Sequence, residues 1–141
     1  MKRDSLRTKF ERVRGANSMF KAAKAFSSFS VNDLNQAERF YSQVLGLKVS
    51  ESAEGLGVQL GGGGEVFLYP KPNHQPATFT VLNFEVSNIE QSVDELRALG
   101  VKFERYTGEL QTDDKGIHHN AGPKVAWFKD PAGNILSVLE D

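Results

Sequence analysis

Val31-Asn-Asp-Leu-Asn-Gln-Ala-Glu-Arg-Phe-Tyr-Ser-Gln-Val-Leu-Gly-Leu-Lys-Val49 has a counterpart further along the chain, Val86-Ser-Asn-Ile-Glu-Gln-Ser-Val-Asp-Glu-Leu-Arg-Ala-Leu-Gly-Val-Lys-Phe103. The two stretches are 55 residues apart at their start and 54 at their end, so the first helix is one residue longer. Each copy carries the same physical instructions. Asp33 and Asn88 are N-cap types, and Gln36 and Gln91 stand three positions on, as in a capping box. Leu34, Ala37, Tyr41, Val44 and Leu45 form one helical stripe, and Ile89, Val93, Leu96 and Leu99 form the other. Gly46 and Gly100 supply the left-handed stop. A repeat of this length is a repeated supersecondary unit.

Strand signals surround both helices. Ala25–Val31 precedes the first, and Leu47–Ala53, Leu56–Leu60 and Val66–Tyr69 follow it, with Gly61–Gly64 as a hairpin turn. Thr78–Val86 precedes the second, and Val101–Tyr106, Lys124–Lys129 and Asn134–Glu140 follow it. Asp130-Pro-Ala-Gly133 is a turn in which Pro131 sets φ and Gly133 permits positive φ. The expectation is an α+β fold of two β-α-β-β-β modules: a basic arm over 1–23, then a domain over 24–141. Module one spans about 24–70, a proline-bearing linker 71–77, and module two about 78–141.

The duplication resembles the vicinal-oxygen-chelate superfamily, which includes glyoxalase I, extradiol dioxygenases, fosfomycin-resistance transferases and bleomycin-resistance proteins. Val31-x-Asp33-Leu34, Phe40-Tyr41, Leu45-Gly46-Leu47, Leu99-Gly100 and Phe128-x-Asp130-Pro131-x-Gly133-Asn134 carry the likeness, which covers about residues 24–140. It implies sheets that curl into a cup, and often a dimer that completes or exchanges cups. One fold hosts many chemistries, so the resemblance does not name a reaction.

Members with metal chemistry use His, Glu or Gln at four cup-facing strand positions. Aligned on these motifs, the positions hold Phe26, Phe67, Val81 and Ser137. Divalent ions need imidazole, carboxylate or carbonyl donors, so no metal and no cofactor is expected there. The histidines are His74 in the linker and the adjacent pair His118-His119 in a polar loop with Glu109, Asp113 and Asp114. Neighbours on an extended segment point apart, so the pair is read as solvated or lid-forming loop, and His74 as solvated linker. The chain has no cysteine, which excludes thiolate catalysis and disulfides. It has no Gly-x-Ser-x-Gly elbow either, and the glycine run precedes a strand and lacks the lysine of a phosphate loop.

Strand alternation assigns the cup-facing residues. They are Phe26 and Ser28 on the first strand, Phe67 and Tyr69 on the fourth, Val81, Asn83 and Glu85 on the fifth, and Ser137 on the last, with Trp127 from the penultimate strand. Aromatic walls with sparse polar groups suit a small organic ligand. The same rings could instead plug the cup as packed core. Glu85 is the one carboxylate on this face and the candidate for acid–base work.

The 141 residues carry a net charge of −1 that conceals a split. Residues 1–24 hold eight lysines and arginines against two acids, a net of +6; the rest holds nine against sixteen, a net of −7. The acidic body disfavours nucleic acid. No apolar run reaches the roughly 18 residues of a membrane helix, so neither nucleic acid nor membrane is an expected partner and the cytoplasm is the expected location. Leu6, Phe10 and Val13 give the arm a short amphipathic pattern. The favoured reading is a metal-independent binder of a small, toxic planar compound that works as a homodimer. Open alternatives are a lyase, isomerase or transferase without the usual metal, and a protein-interaction module whose cup is filled.

Overall fold

The computed structural model describes residues 18–120 and 122–141; the amphipathic pattern at Leu6, Phe10 and Val13 lies outside them. Strand β1 (Ser27–Val31) leads to helix α1 (Leu34–Arg39), then to β2 (Val49–Glu51), β3 (Leu56–Gln59) and β4 (Glu65–Pro70). The second module repeats this as β5 (Thr80–Glu85), α2 (Ile89–Ala98), β6 (Ile117–His118), β7 (Lys124–Lys129) and β8 (Ile135–Glu140). The sheets have matching orders, β1-β4-β3-β2 and β5-β8-β7-β6, each with one parallel pair.

The predicted caps form. Asp33 Oδ1 accepts from the Gln36 N–H at 3.1 Å, and Asn88 Oδ1 accepts from the Gln91 N–H at 3.0 Å. Glu140 adds a second cap from β8, its Oε1 accepting from the Ile89 N–H at 2.9 Å. The stops are left-handed, with φ of 70° at Gly46 and 94° at Gly100.

The extra residue of the first copy has a definite place. Helix α1 passes at Phe40 into a π turn over Phe40–Val44, with the Leu45 N–H donating to the Phe40 carbonyl. A π turn is an α-helix holding one added residue, which accounts for the change of offset from 55 to 54.

One expected strand is replaced. Val101–Tyr106 forms no strand; its backbone meets β7 at the Phe103–Phe128 bridge and the Glu104 N–H to Trp127 carbonyl bond, and its side chains add the Tyr106–Trp127 ring contact and the Glu104–Lys129 ion pair. The chain then loops through 107–116 and returns as β6, which pairs with Val125 and Ala126. Two short segments thus divide the outer edge of β7. Asp113 closes the loop by accepting from the Lys115 and Ile117 N–H groups, both at 2.9 Å.

One core serves both modules. Val31, Leu56, Val58, Val66 and Leu68 of the first sheet and Ile117, Ala126, Phe128, Leu136 and Val138 of the second are all buried in it with Tyr41, Ile89 and Val93 from the helical segments. The rings of Phe40 and Phe128 approach to 6.5 Å across the module boundary. Since strand side chains alternate, the opposite face of each sheet points away from this core.

A polar latch joins the modules. The Tyr41 hydroxyl donates to Asp130 Oδ2 at 2.7 Å, and the Asn134 amide donates to the same oxygen at 3.0 Å and to the Ser30 carbonyl at 2.9 Å. Asp130 Oδ1 accepts from the N–H groups of Ala132 and Asn134. Burial first, then the Asp130 charge and the hydrogen bond to it, push the Tyr41 phenol far above its ordinary pKa. The linker joins the same latch, contrary to the solvated reading of His74: its ring bonds the Ser30 hydroxyl at 2.6 Å and the Ala132 carbonyl at 2.9 Å.

Candidate functional site

The predicted residues fall on two separate sheet faces. On the first sheet, register places Ser28 beside Phe67 and Ser30 beside Tyr69. Phe26 stands one residue ahead of β1 with two-thirds of its surface (67%) exposed, and Tyr69 is 36% exposed. Phe67 is half-buried because its ring lies over Gly55, where an added Cβ would come within 3.0 Å of the ring edge. The face is aromatic, shallow and open.

On the second sheet, Trp127, Ser137 and Asn83 form one row across β7, β8 and β5. Ser137, in the middle of this row, is fully buried, with its hydroxyl 2.6 Å from Asn83 Oδ1, to which it donates. Glu85 sits two residues on, exposed at the strand end, with no ion-pair partner among the described residues. Val81 lies at the irregularity between Thr80 and Leu82, where the β5–β8 register shifts. Tyr106 packs edge-on against Trp127 at 5.5 Å.

His118 corrects the expectation of a solvated or lid-forming loop. It belongs to β6, is only 8% exposed, and its ring lies 6.0 Å from Trp127. Nδ1 is 2.8 Å from the Gln111 carbonyl, which only accepts, so Nδ1 carries the proton. Nε2 then accepts from the Asn120 amide at 3.1 Å. His119 points the other way, as alternation requires, and pairs with Asp113 at 2.8 Å. Asp113 is held below its ordinary value: burial, the largest single effect, raises it, but the bonds from the Ile117 N–H, from His119 and from the Lys115 N–H together with the His119 charge outweigh it. Tyr106 and His118 were missing from the predicted set. A two-residue strand leaves no alternation to read, and Tyr106 ends a segment that reads as a strand but does not form one.

No hydrogen bond, ion pair or ring contact among the described residues joins Phe26, Ser28, Phe67 or Tyr69 to Val81, Asn83, Glu85, Trp127 or Ser137. A single chain therefore presents two half-sites, each facing away from the shared core: the first is exposed at Phe26 and Tyr69, whereas the second is partly covered, with Ser137 buried and Trp127 packed against Tyr106 and His118.

The donor set does not fit a metal. Phe26, Phe67 and Val81 offer no donor, and the Ser137 hydroxyl is engaged by Asn83. No three His, Asp or Glu side chains cluster to hold an ion among the described residues. Nor does Ser137 face a base, since its partner is an amide oxygen, so the row lacks a nucleophile–base pair. It can stack, donate through the Asn83 amide, and accept at Glu85.

This chain belongs to the glyoxalase/bleomycin resistance protein/dioxygenase superfamily, which it matches over residues 25–138. Among solved structures it is similar to a glyoxalase family protein from Enterococcus faecalis, at 22% identity and a TM-score of 0.64, covering 86% of this chain and 99% of that one. It is also similar to the genomically encoded fosfomycin resistance protein of Listeria monocytogenes, at 13% identity and a TM-score of 0.65, covering 85% and 93%. A third is lactoylglutathione lyase from Agrobacterium tumefaciens, at 21% identity and a TM-score of 0.61, covering 84% and 93%. Identities this low establish a shared fold. No curated protein matches the sequence. No helix among the described residues is long and apolar enough to cross a membrane.

Proposed function

We propose that the protein is a metal-independent small-molecule binder that works as a homodimer in the cytoplasm and sequesters a toxic planar compound. The observation that carries this reading is the placement of two aromatic half-sites on separate sheet faces, the first exposed at Phe26 and Tyr69 and the second half-buried around Trp127. Closed twofold pairing would set Phe26, Phe67 and Tyr69 of one chain opposite Trp127, Ser137 and Asn83 of its partner, twice per dimer. Exposed aromatic faces of this kind favour coverage. A planar ligand between them would stack on rings from both chains and take one or two hydrogen bonds from Asn83. Glu85 makes neutral and cationic ligands preferable to anions, because an anion buried beside a carboxylate has no cation on either face to offset it. The fosfomycin resistance neighbour supports a role in handling toxic compounds.

Light scattering on protein purified in EDTA tests the assembly. A mass near twice 15.6 kDa at micromolar concentration supports the reading. A mass of one chain, unchanged on adding the planar cation proflavine, would overturn it.

A further inference from the structure

We infer a second binding site, for a small phosphate-bearing molecule, in the cleft where α2 ends and the 107–116 loop returns. The cleft holds about 450 Å³ and is lined by Arg97, Gly100, Val101, Lys102, Phe103, Arg105, Asp114 and Lys115. Four of these eight residues are cations. The whole chain beyond residue 24 has only nine, within a segment whose net charge is −7. Scattering of solvated lysines over an acidic surface would not gather nearly half of them into one cleft, where they repel each other.

Three of the four are uncompensated. Lys115 pairs with Asp94 at 3.1 Å, but Arg97, Lys102 and Arg105 have no carboxylate within ion-pair distance among the described residues. Arg105 is nonetheless held in place, because its guanidinium donates to the Asp114 backbone carbonyl. The C-terminal end of α2 offsets part of this charge through its dipole, but it leaves few free carbonyls to occupy the cations' donors. Its carbonyls at Glu95, Leu96 and Arg97 are taken by the N–H groups of Leu99, Val101 and Gly100. Gly100 leaves the cleft open at its base, since a Cβ there would meet nothing within 4 Å.

The charge count selects the ligand. Counting Asp94 and Asp114 against the four cations leaves +2, which matches a phosphate monoester dianion. Two guanidinium forks with a lysine suit its three terminal oxygens better than a single carboxylate. Val101 and the half-buried Phe103 give an apolar floor for the organic part. The cleft lies on the side of module two away from the Trp127 row, so this site does not depend on the proposed function. An adjoining cleft shares Gly100, Val101 and Lys102 and adds Lys129, itself paired with Glu104 at 3.1 Å.

Amide NMR titration of the full chain with inorganic phosphate and tripolyphosphate, against chloride at equal ionic strength, tests the site. The expected result is saturable shifts confined to residues 97–105 and 114–116. They should weaken at least tenfold in Lys102→Gln/Arg97→Gln, both exposed positions, and in Arg105→Gln, while Lys48→Gln leaves them unchanged. Shifts that fail to saturate, that chloride reproduces, that survive in Lys102→Gln/Arg97→Gln, or that appear with citrate but not with phosphate would overturn the assignment.

Discussion

Tyr41→Phe isolates the latch between the modules. The ring is fully buried against Phe29 and Phe40, with centroids 6.4 and 5.2 Å away, and phenylalanine keeps those contacts. Only the 2.7 Å bond to Asp130 is lost. A hydrogen bond to a charged group contributes roughly 1.5–3 kcal/mol. Asp130 would keep three N–H donors, two from backbone and one from the Asn134 amide, so its charge is not stranded. The expected cost is therefore near the low end, about 2 kcal/mol. For a chain of this size that lowers Tm by roughly 4–8 °C. Asp130→Ala should cost more, roughly 3 kcal/mol or above, because it removes the acceptor of the Tyr41 hydroxyl and of the Asn134 and Ala132 backbone N–H groups, leaving the Asn134 amide only its bond to the Ser30 carbonyl. Urea unfolding measures both, and Cm should fall at constant m. A Tyr41→Phe protein within about 0.5 kcal/mol of wild type would refute the claim that this bond ties the modules together.

The remaining predictions concern the half-site, the loop and the hairpin. Phe67→Ala should cost about 2 kcal/mol of stability by urea unfolding, roughly half the loss for a fully buried ring, and should weaken planar ligands by about 1–3 kcal/mol in a fluorescence titration; unchanged stability and binding would place Phe67 outside the site. Asp113 has a depressed folded pKa, so its contribution is fully present above its ordinary value of 3.8 and is lost as pH falls through the lower folded value. Asp113→Asn should remove that acid-side component of amide-exchange protection at Ile117, and a wild-type pH profile would contradict this. In the glycine hairpin only Gly63 has positive φ, at 91°, and Gly62 has open space around it. Gly62→Ala should then raise stability by roughly 0.4–1 kcal/mol while Gly63→Ala lowers it; equal effects on Tm would refute the distinction.

Much of the fold was legible because it depends on local chemistry repeated twice. Asp33 and Asn88 cap through their own side-chain oxygens, while Gly46 and Gly100 stop and Gly133 turns through their own backbone. Even the π turn at Phe40–Val44 left a trace as the one-residue change of offset. The latch was not legible. Tyr41 reads as one more apolar stripe residue, and its partner lies 89 positions away. The row of Trp127, Ser137 and Asn83 followed from strand alternation, and the β7–β8 and β5–β8 registers set the three side by side. His118 escaped because β6 has two residues and is held by β7 rather than by its own propensity. That a single chain keeps the two half-sites apart could not be read from the strands. It depends on the helix-bearing faces of both sheets sharing one core.

Trp127 offers the most direct test of the central claim, that the two half-sites bind a planar compound without a metal. It is the one tryptophan in the chain, so the indole N–H gives a single NMR signal. Titrating EDTA-treated protein with proflavine should move that signal saturably, together with the Asn83 side-chain amide of the same row and the ring signals of Phe67 and Tyr69. An indole signal that stays fixed while added zinc, nickel or manganese restores binding would contradict the account.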